Sequence, residues 1–150
     1  MREQVIERIE KEKLIAIVRG VSADQCSKVA NALYAGGVRL MEITYNQKDP
    51  ASWQQTAEAI GALTEEFGGK MLFGAGTVTN VELVELTHAH GGKYIISPDT
   101  NVDVIKRTVE LGMVSLPGAM TPTEVMTAHE AGADFVKLFP AGDLGVSYLK

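Results

Sequence analysis

Leu14-Ile-Ala-Ile-Val-Arg-Gly20 decides the fold, because it opens a unit that the chain then repeats. Residues 14–18 form an unbroken apolar run, too short for a helix and without the alternation of a half-buried strand. A parallel strand covered on both faces requires such a run. Arg19-Gly20 ends it, Ser22 offers a helix cap, and a helical stretch runs to Ala35, where Gly36-Gly37 stops it. Further strands are expected at 40–44, 71–75, 94–97, 113–116 and 135–139. Helices are expected at 51–66, 80–90, 101–111 and 122–131, with a sixth reaching 148–150, and glycine closes the first five of the series. Upstream of the repeat, residues 4–13 read as a short amphipathic helix, with Val5, Ile6 and Ile9 at helical spacing.

Six βα units suit either an open doubly wound α/β sheet or a (β/α)8 TIM barrel. Polar or turn-forming residues gather at the C-terminal ends of several strands, at Arg19-Gly20, Gly76-Thr77, Pro98 and Pro117-Gly118. A barrel assembles its site at that end from several strands, whereas an open sheet concentrates function at one switch point. The expected fold is therefore a (β/α)8 barrel of which about six units are present, in one domain over residues 1–150.

Apolar residues make up 45% and charged residues 22% of the 150, an ordinary globular balance. The net charge of −5, with no basic run, argues against a nucleic-acid partner. Cys26 is the only cysteine, so no internal disulfide forms, and a cytoplasmic setting is expected. Residues 1–13 are too charged for a signal-peptide core, and no apolar run approaches a membrane span.

The chemistry centres on Phe135-Val-Lys-Leu-Phe-Pro140, where one lysine interrupts an apolar strand. Desolvation disfavours a charged amine there, so Lys137 is either a paired or snorkelling structural residue or an amine kept free to attack a carbonyl. Side chains alternate along a strand, so Phe135, Lys137 and Phe139 share a face, as do Leu40, Glu42 and Thr44. The opposite faces are wholly aliphatic and suit the outer helices, leaving Lys137 and Glu42 inward. Barrel layers alternate between odd and even strands, and strands two and six are both even. Glu42 and Lys137 are thus expected to face each other across a small gap that admits substrate or water, or else to form a buried ion pair.

Arg19 ends strand one, where it either meets an anionic substrate or is simply solvated. Thr77 follows Gly74-Ala-Gly76, and its hydroxyl and loop amides suit a carboxylate oxygen. The Gly-x-Gly there is not a dinucleotide motif, since the sixth position is Thr79. His88, His90 and His129 fall within helices, and His88 and His90 do not share a face, so no metal site is expected.

Taken in order, Ile15-Ala-Ile-Val-Arg-Gly20, Ala35-Gly-Gly-Val38, Met41-Glu-Ile-Thr44, Gly74-Ala-Gly-Thr-Val78, Ile96-Ser-Pro98, Pro117-Gly118, Thr121-Pro-Thr-Glu124 and Phe135-Val-Lys-Leu-Phe-Pro-Ala141 resemble the 2-keto-3-deoxy-6-phosphogluconate / 4-hydroxy-2-oxoglutarate aldolases along the whole chain. The resemblance implies a class I aldolase on a (β/α)8 barrel, usually a homotrimer, with no metal or cofactor. It implies that Lys137 forms a Schiff base with pyruvate and that Glu42 moves protons with a bound water. Arg19 and Thr77 would hold anionic groups of a small 2-keto acid, and Pro98 would shape the pocket. Phe139, on the face of Lys137, is counted with the substrate-binding residues. Asn46 stands where many gluconate-type members carry arginine; with Arg19 it is more similar to the 6-phosphogalactonate branch. The family continues for about two more βα units with phosphate-binding loops that this sequence does not contain, so exposed strand edges, marginal stability and little activity are expected of this chain. The alternatives from other classes are a barrel isomerase or decarboxylase using the lysine as a charge, and a non-catalytic incomplete barrel.

Overall fold

The computed structural model describes residues 1–149. Lys150, assigned to the sixth helix from sequence, lies outside the described residues. Helix α1 (Arg2–Glu12) precedes the repeat, and β1 (Ile15–Val18), α2 (Ala23–Ala35), β2 (Leu40–Thr44), α3 (Trp53–Phe67), β3 (Leu72–Gly76), α4 (Val81–Ala89), β4 (Tyr94–Ile96) and α5 (Val102–Glu110) follow. Then come β5 (Val114–Leu116), β6 (Gly118–Ala119), α6 (Pro122–Glu130), β7 (Lys137–Leu138) and the short α7 (Ala141–Leu144). Strands β1 to β5 form one parallel sheet in sequential order, and β6 pairs in parallel with β7. The architecture is that of a (β/α)8 barrel, partly built.

Two departures from the sequence reading have a physical cause. The fifth strand is split by Pro117, which has no amide hydrogen for a ladder. Before it, β5 pairs with β4 from Tyr94–Val114 to Ile96–Leu116; after it, Gly118 pairs with Lys137. The Pro117 carbonyl still accepts from Lys137 N at 2.9 Å, so β5 and β6 are one strand that bends from one neighbour to the next. The expected strand over 135–139 shrinks to Lys137–Leu138, because Asp134 N and Phe135 N both donate to the Ser115 carbonyl and the ladder starts only beyond them. Residues expected in a sixth helix form instead α7 and a 3-10 turn over Val146–Leu149.

The two strand faces sort as alternation requires. Met41, Ile43, Phe73, Ala75 and Ile95 pack outward against α2, α3 and α4 through Ala30, Ile60, Leu63, Phe67 and Val84. Inside the curl, Leu40, Tyr94, Ile96, Val114 and Leu116 form a second core with Ile15, Leu72 and Phe135. Val5 and Ile9, one helical turn apart on α1, are buried in that core. Each such side chain contributes roughly 1.5–3 kcal/mol on burial. Tyr94 is fully buried because Gly74 opposite has no side chain: a Cβ there would collide with its ring. Arg2 on α1 pairs with Asp134 at 2.7 Å, and Asp134 also accepts from Ser115 N at 2.9 Å, tying the first helix to the segment that leads into β7.

Candidate active site

Glu42 occupies the middle of β2, aligned with Ile17 on β1 and Gly74 on β3. Its side chain points into the curl over the end of β3, and a Cβ at Gly76 would strike its carboxylate. Only 2% of Glu42 is exposed, and its Oε2 has no hydrogen-bond partner among the described residues. A buried carboxylate without hydrogen bonds is expensive. Burial accordingly raises the Glu42 pKa above the usual carboxyl value, and the charges of Lys137 and then Arg19 offset the rise only in part.

Lys137, half-buried at the start of β7, lines a cavity of about 190 Å³ together with Glu42, Ile15, Ile17, Ile96 and Leu116. Each of the four apolar residues on β1, β4 and β5 comes from the inward face. Ion pairing between Glu42 and Lys137 is absent among the described residues, so the two face a shared space. The Phe139 ring lies 4.8 Å from Lys137 Nζ, within cation–π range, and is 42% exposed. Pro98 follows β4, and its carbonyl abuts Gly118, the residue paired with Lys137; a side chain at Gly118 would not fit.

Arg19, Asn46 and Thr77 come together in a second cavity of about 390 Å³, with Thr44, Gln47 and Lys48. Arg19 is exposed at the end of β1. Asn46 spends its carboxamide oxygen on Lys48 N at 3.0 Å, folding the loop, while its carbonyl accepts from Trp53 Nε1 at 3.0 Å. Thr77 has φ +57°, the left-handed region, where a β-branched residue is an outlier costing about 1–2 kcal/mol. Gln47 donates from Nε2 to the Thr77 carbonyl at 2.7 Å, and Thr79 Oγ1 donates to Gln47 Oε1 at 2.9 Å.

The sequence-selected residues other than Pro98 thus fall into two groups. Glu42 and Lys137, with Phe139 beside the lysine, form a carboxylate–amine pair around a cavity otherwise lined by apolar side chains. Arg19, Asn46 and Thr77 form a cationic, hydrogen-bonding cavity whose Arg19 charge still reaches Glu42. Lys48 and Gln47 escaped the sequence reading, because loop residues carry no periodicity; only their closeness to Asn46 in the chain hinted at them.

A family model described as KDPG and KHG aldolase matches residues 5–150. The chain is 38% identical over 140 residues to the 2-dehydro-3-deoxy-6-phosphogalactonate aldolase of Escherichia coli (strain K12), covering 93% of this chain and 65% of that protein. It is 34% identical to the 2-dehydro-3-deoxy-phosphogluconate aldolase of Treponema pallidum (strain Nichols), covering 94% and 64%. It also matches the crystal structure of KDPG aldolase from Legionella pneumophila with pyruvate captured at low pH as a covalent carbinolamine intermediate, at a TM-score of 0.78 and 25% identity, covering 90% of this chain and 63% of that one. The chain spans between 60% and 65% of the first curated relatives' length.

Proposed function

This chain belongs to the KDPG and KHG aldolase family, and on that premise we propose that it cleaves a 4-hydroxy-2-keto acid to pyruvate and an aldehyde through a Schiff base on Lys137. The observation that carries the reading is the shared cavity of Lys137 and a buried, unpartnered Glu42 carboxylate. Lys137 Nζ adds to the C2 ketone carbon, and with one proton given by the Glu42 carboxyl that oxygen leaves as water, which yields an iminium and leaves Glu42 as a carboxylate. Glu42 takes the proton from the C4 hydroxyl; the C3–C4 bond breaks, its electron pair passes into the iminium, and the aldehyde leaves. The resulting enamine takes the proton back from Glu42 at C3, and water releases pyruvate from the lysine. A carboxyl whose pKa is raised by burial suits this exchange, since it gains and loses a proton closer to neutral pH.

Arg19 and Thr77 hold anionic groups of the substrate, Pro98 and Phe139 shape the pocket, and Asn46 contacts the aldehyde half. The distal aldehyde is glyceraldehyde 3-phosphate or glyoxylate. A 6-phosphogalactonate-type substrate is supported by Asn46 and by the 38% identity to an enzyme of that name, a gluconate-type substrate by the 34% relative. A homotrimer rests on the family resemblance, a single barrel domain on the chain's length and βα repeat, and a cytoplasmic setting on the single cysteine, Cys26; among the described residues no helix is long and apolar enough to cross a membrane. The cationic cavity at Arg19 and Lys48 supports one second reading, a partial barrel that binds anions without turnover.

Pyruvate release from the gluconate- and galactonate-derived phosphates and from 4-hydroxy-2-oxoglutarate, followed in one coupled assay, tests both. The galactonate-derived compound is expected to be cleaved fastest, with Asn46→Arg moving the preference towards the gluconate epimer. Equal rates on all three defeat the role given to Asn46, and no release from any of them favours the partial-barrel reading.

A further inference from the structure

We propose that Gln47 is a positioning residue of the substrate cavity: its side-chain amide clamps Thr77 in the left-handed conformation from which Thr77 meets the carboxylate of a 2-keto acid. The backbone pairing of β2 with β3 ends where Tyr45 N donates to the Gly76 carbonyl at 3.0 Å. One residue further on, each chain is on its own, and there Thr77 takes φ +57°. A strained backbone persists only where its surroundings over-determine it.

Val78, fully buried, is fixed by its amide donating to the Ile96 carbonyl at 3.2 Å. That leaves the Thr77 carbonyl, whose hydrogen bond among the described residues comes from Gln47 Nε2 at 2.7 Å. A carbonyl oxygen only accepts, so the amide nitrogen must face it, and Gln47 Oε1 is left to accept from Thr79 Oγ1. The Thr79 carbonyl in turn accepts from Asn101 Nδ2 at 3.3 Å, and Asn101 caps α5. One exposed glutamine thus brackets residues 77–79 from both ends and extends the β2–β3 pairing past its last backbone bond. Thr77 Oγ1 has no protein partner among the described residues, and Thr77 lines the cavity that Arg19 also lines. Fixing that hydroxyl beside a cation before a carboxylate arrives lowers the ordering cost of binding.

The inference rests on the Schiff-base reading for its ligand and on geometry alone for the clamp, so the test on the whole chain has two readouts. In the ligand-free protein, the HN–Hα coupling and Cβ shift of Thr77 report its backbone conformation in the parent and in Gln47→Leu. Borohydride trapping at graded pyruvate concentrations gives a half-saturating concentration and a limiting rate. Gln47→Leu is expected to take Thr77 out of the left-handed region and to raise half-saturation about tenfold, the scale of one lost hydrogen bond to a ligand carboxylate. The limiting trapping rate should stay within about twofold, which a merely structural lesion would not preserve. In a Thr77→Ala background the same substitution should move half-saturation by less than about twofold, because Gln47 acts through Thr77. An unchanged Thr77 conformation, or an equal shift in both backgrounds, overturns the proposal. A parent chain that traps no pyruvate defeats the Schiff-base reading instead, and the Thr77 conformation then decides the clamp by itself.

Discussion

Replacing Glu42 by glutamine separates its chemistry from its cost, because the amide has the carboxyl's shape and no charge. Activity should fall by about 10²–10⁴-fold, the usual contribution of a positioned acid–base group. Stability should move the other way. Burial holds the folded carboxyl above its ordinary value of 4.5. Below 4.5 both folded and unfolded chains keep the proton; as pH rises through the folded value, the unfolded chain has already released it, and stability is lost. Glu42→Gln should therefore match the parent most closely near pH 4 and be the more stable of the two at pH 7, read from denaturant unfolding at the two pH values. A difference between variant and parent that is the same at both pH values would contradict the burial argument. The facing of Glu42 and Lys137 was legible in advance, since strand alternation and layer parity constrain side-chain direction. The strain at Thr77 and its bracket by Gln47 were not: both belong to loops, where the pattern of apolar residues says nothing about which side chains meet.

The βα repeat was legible at the level of elements because buried parallel strands leave continuous apolar runs and helix ends leave glycines; Gly112 and Gly132, for example, take positive φ just past α5 and α6. Its failures are local and share a cause. Pro117 and the double use of the Ser115 carbonyl decide where β6 and β7 pair, and hydrogen-bond competition of that kind has no signature in hydropathy. Gly118→Ala probes this bend directly. Its side chain would meet the Pro98 carbonyl, so β6 must move, and Lys137 with it. We expect a stability loss of about 1–3 kcal/mol, as for other overpacked sites, together with a slower reaction of Lys137 with pyruvate. An unaltered rate in a destabilised variant would show that Lys137 does not depend on β6 for its position.

For the whole molecule, the inward core and the helix beneath it matter most. Helix α1 was expected as an amphipathic segment, but its packing into the inner core and its tie to a residue 132 positions away were invisible to local pattern. Arg2→Ala leaves the Asp134 carboxylate, 7% exposed, with only its backbone partner, and should cost about 1–2 kcal/mol, discounted because Arg2 is itself about a third exposed. Faster hydrogen exchange at Lys137 and Phe139 amides should accompany it; exchange unchanged there would disconnect α1 from β7. Ile17 on β1 is 58% exposed beside the Glu42–Lys137 cavity. The proposed activity turns on a Schiff base at Lys137. Intact-mass measurement and peptide mapping after borohydride reduction with pyruvate test it most directly. One reduced pyruvyl group on the peptide containing Lys137, lost in Lys137→Met, is the predicted result; a folded chain that gains no mass, or gains it on another lysine, would contradict it.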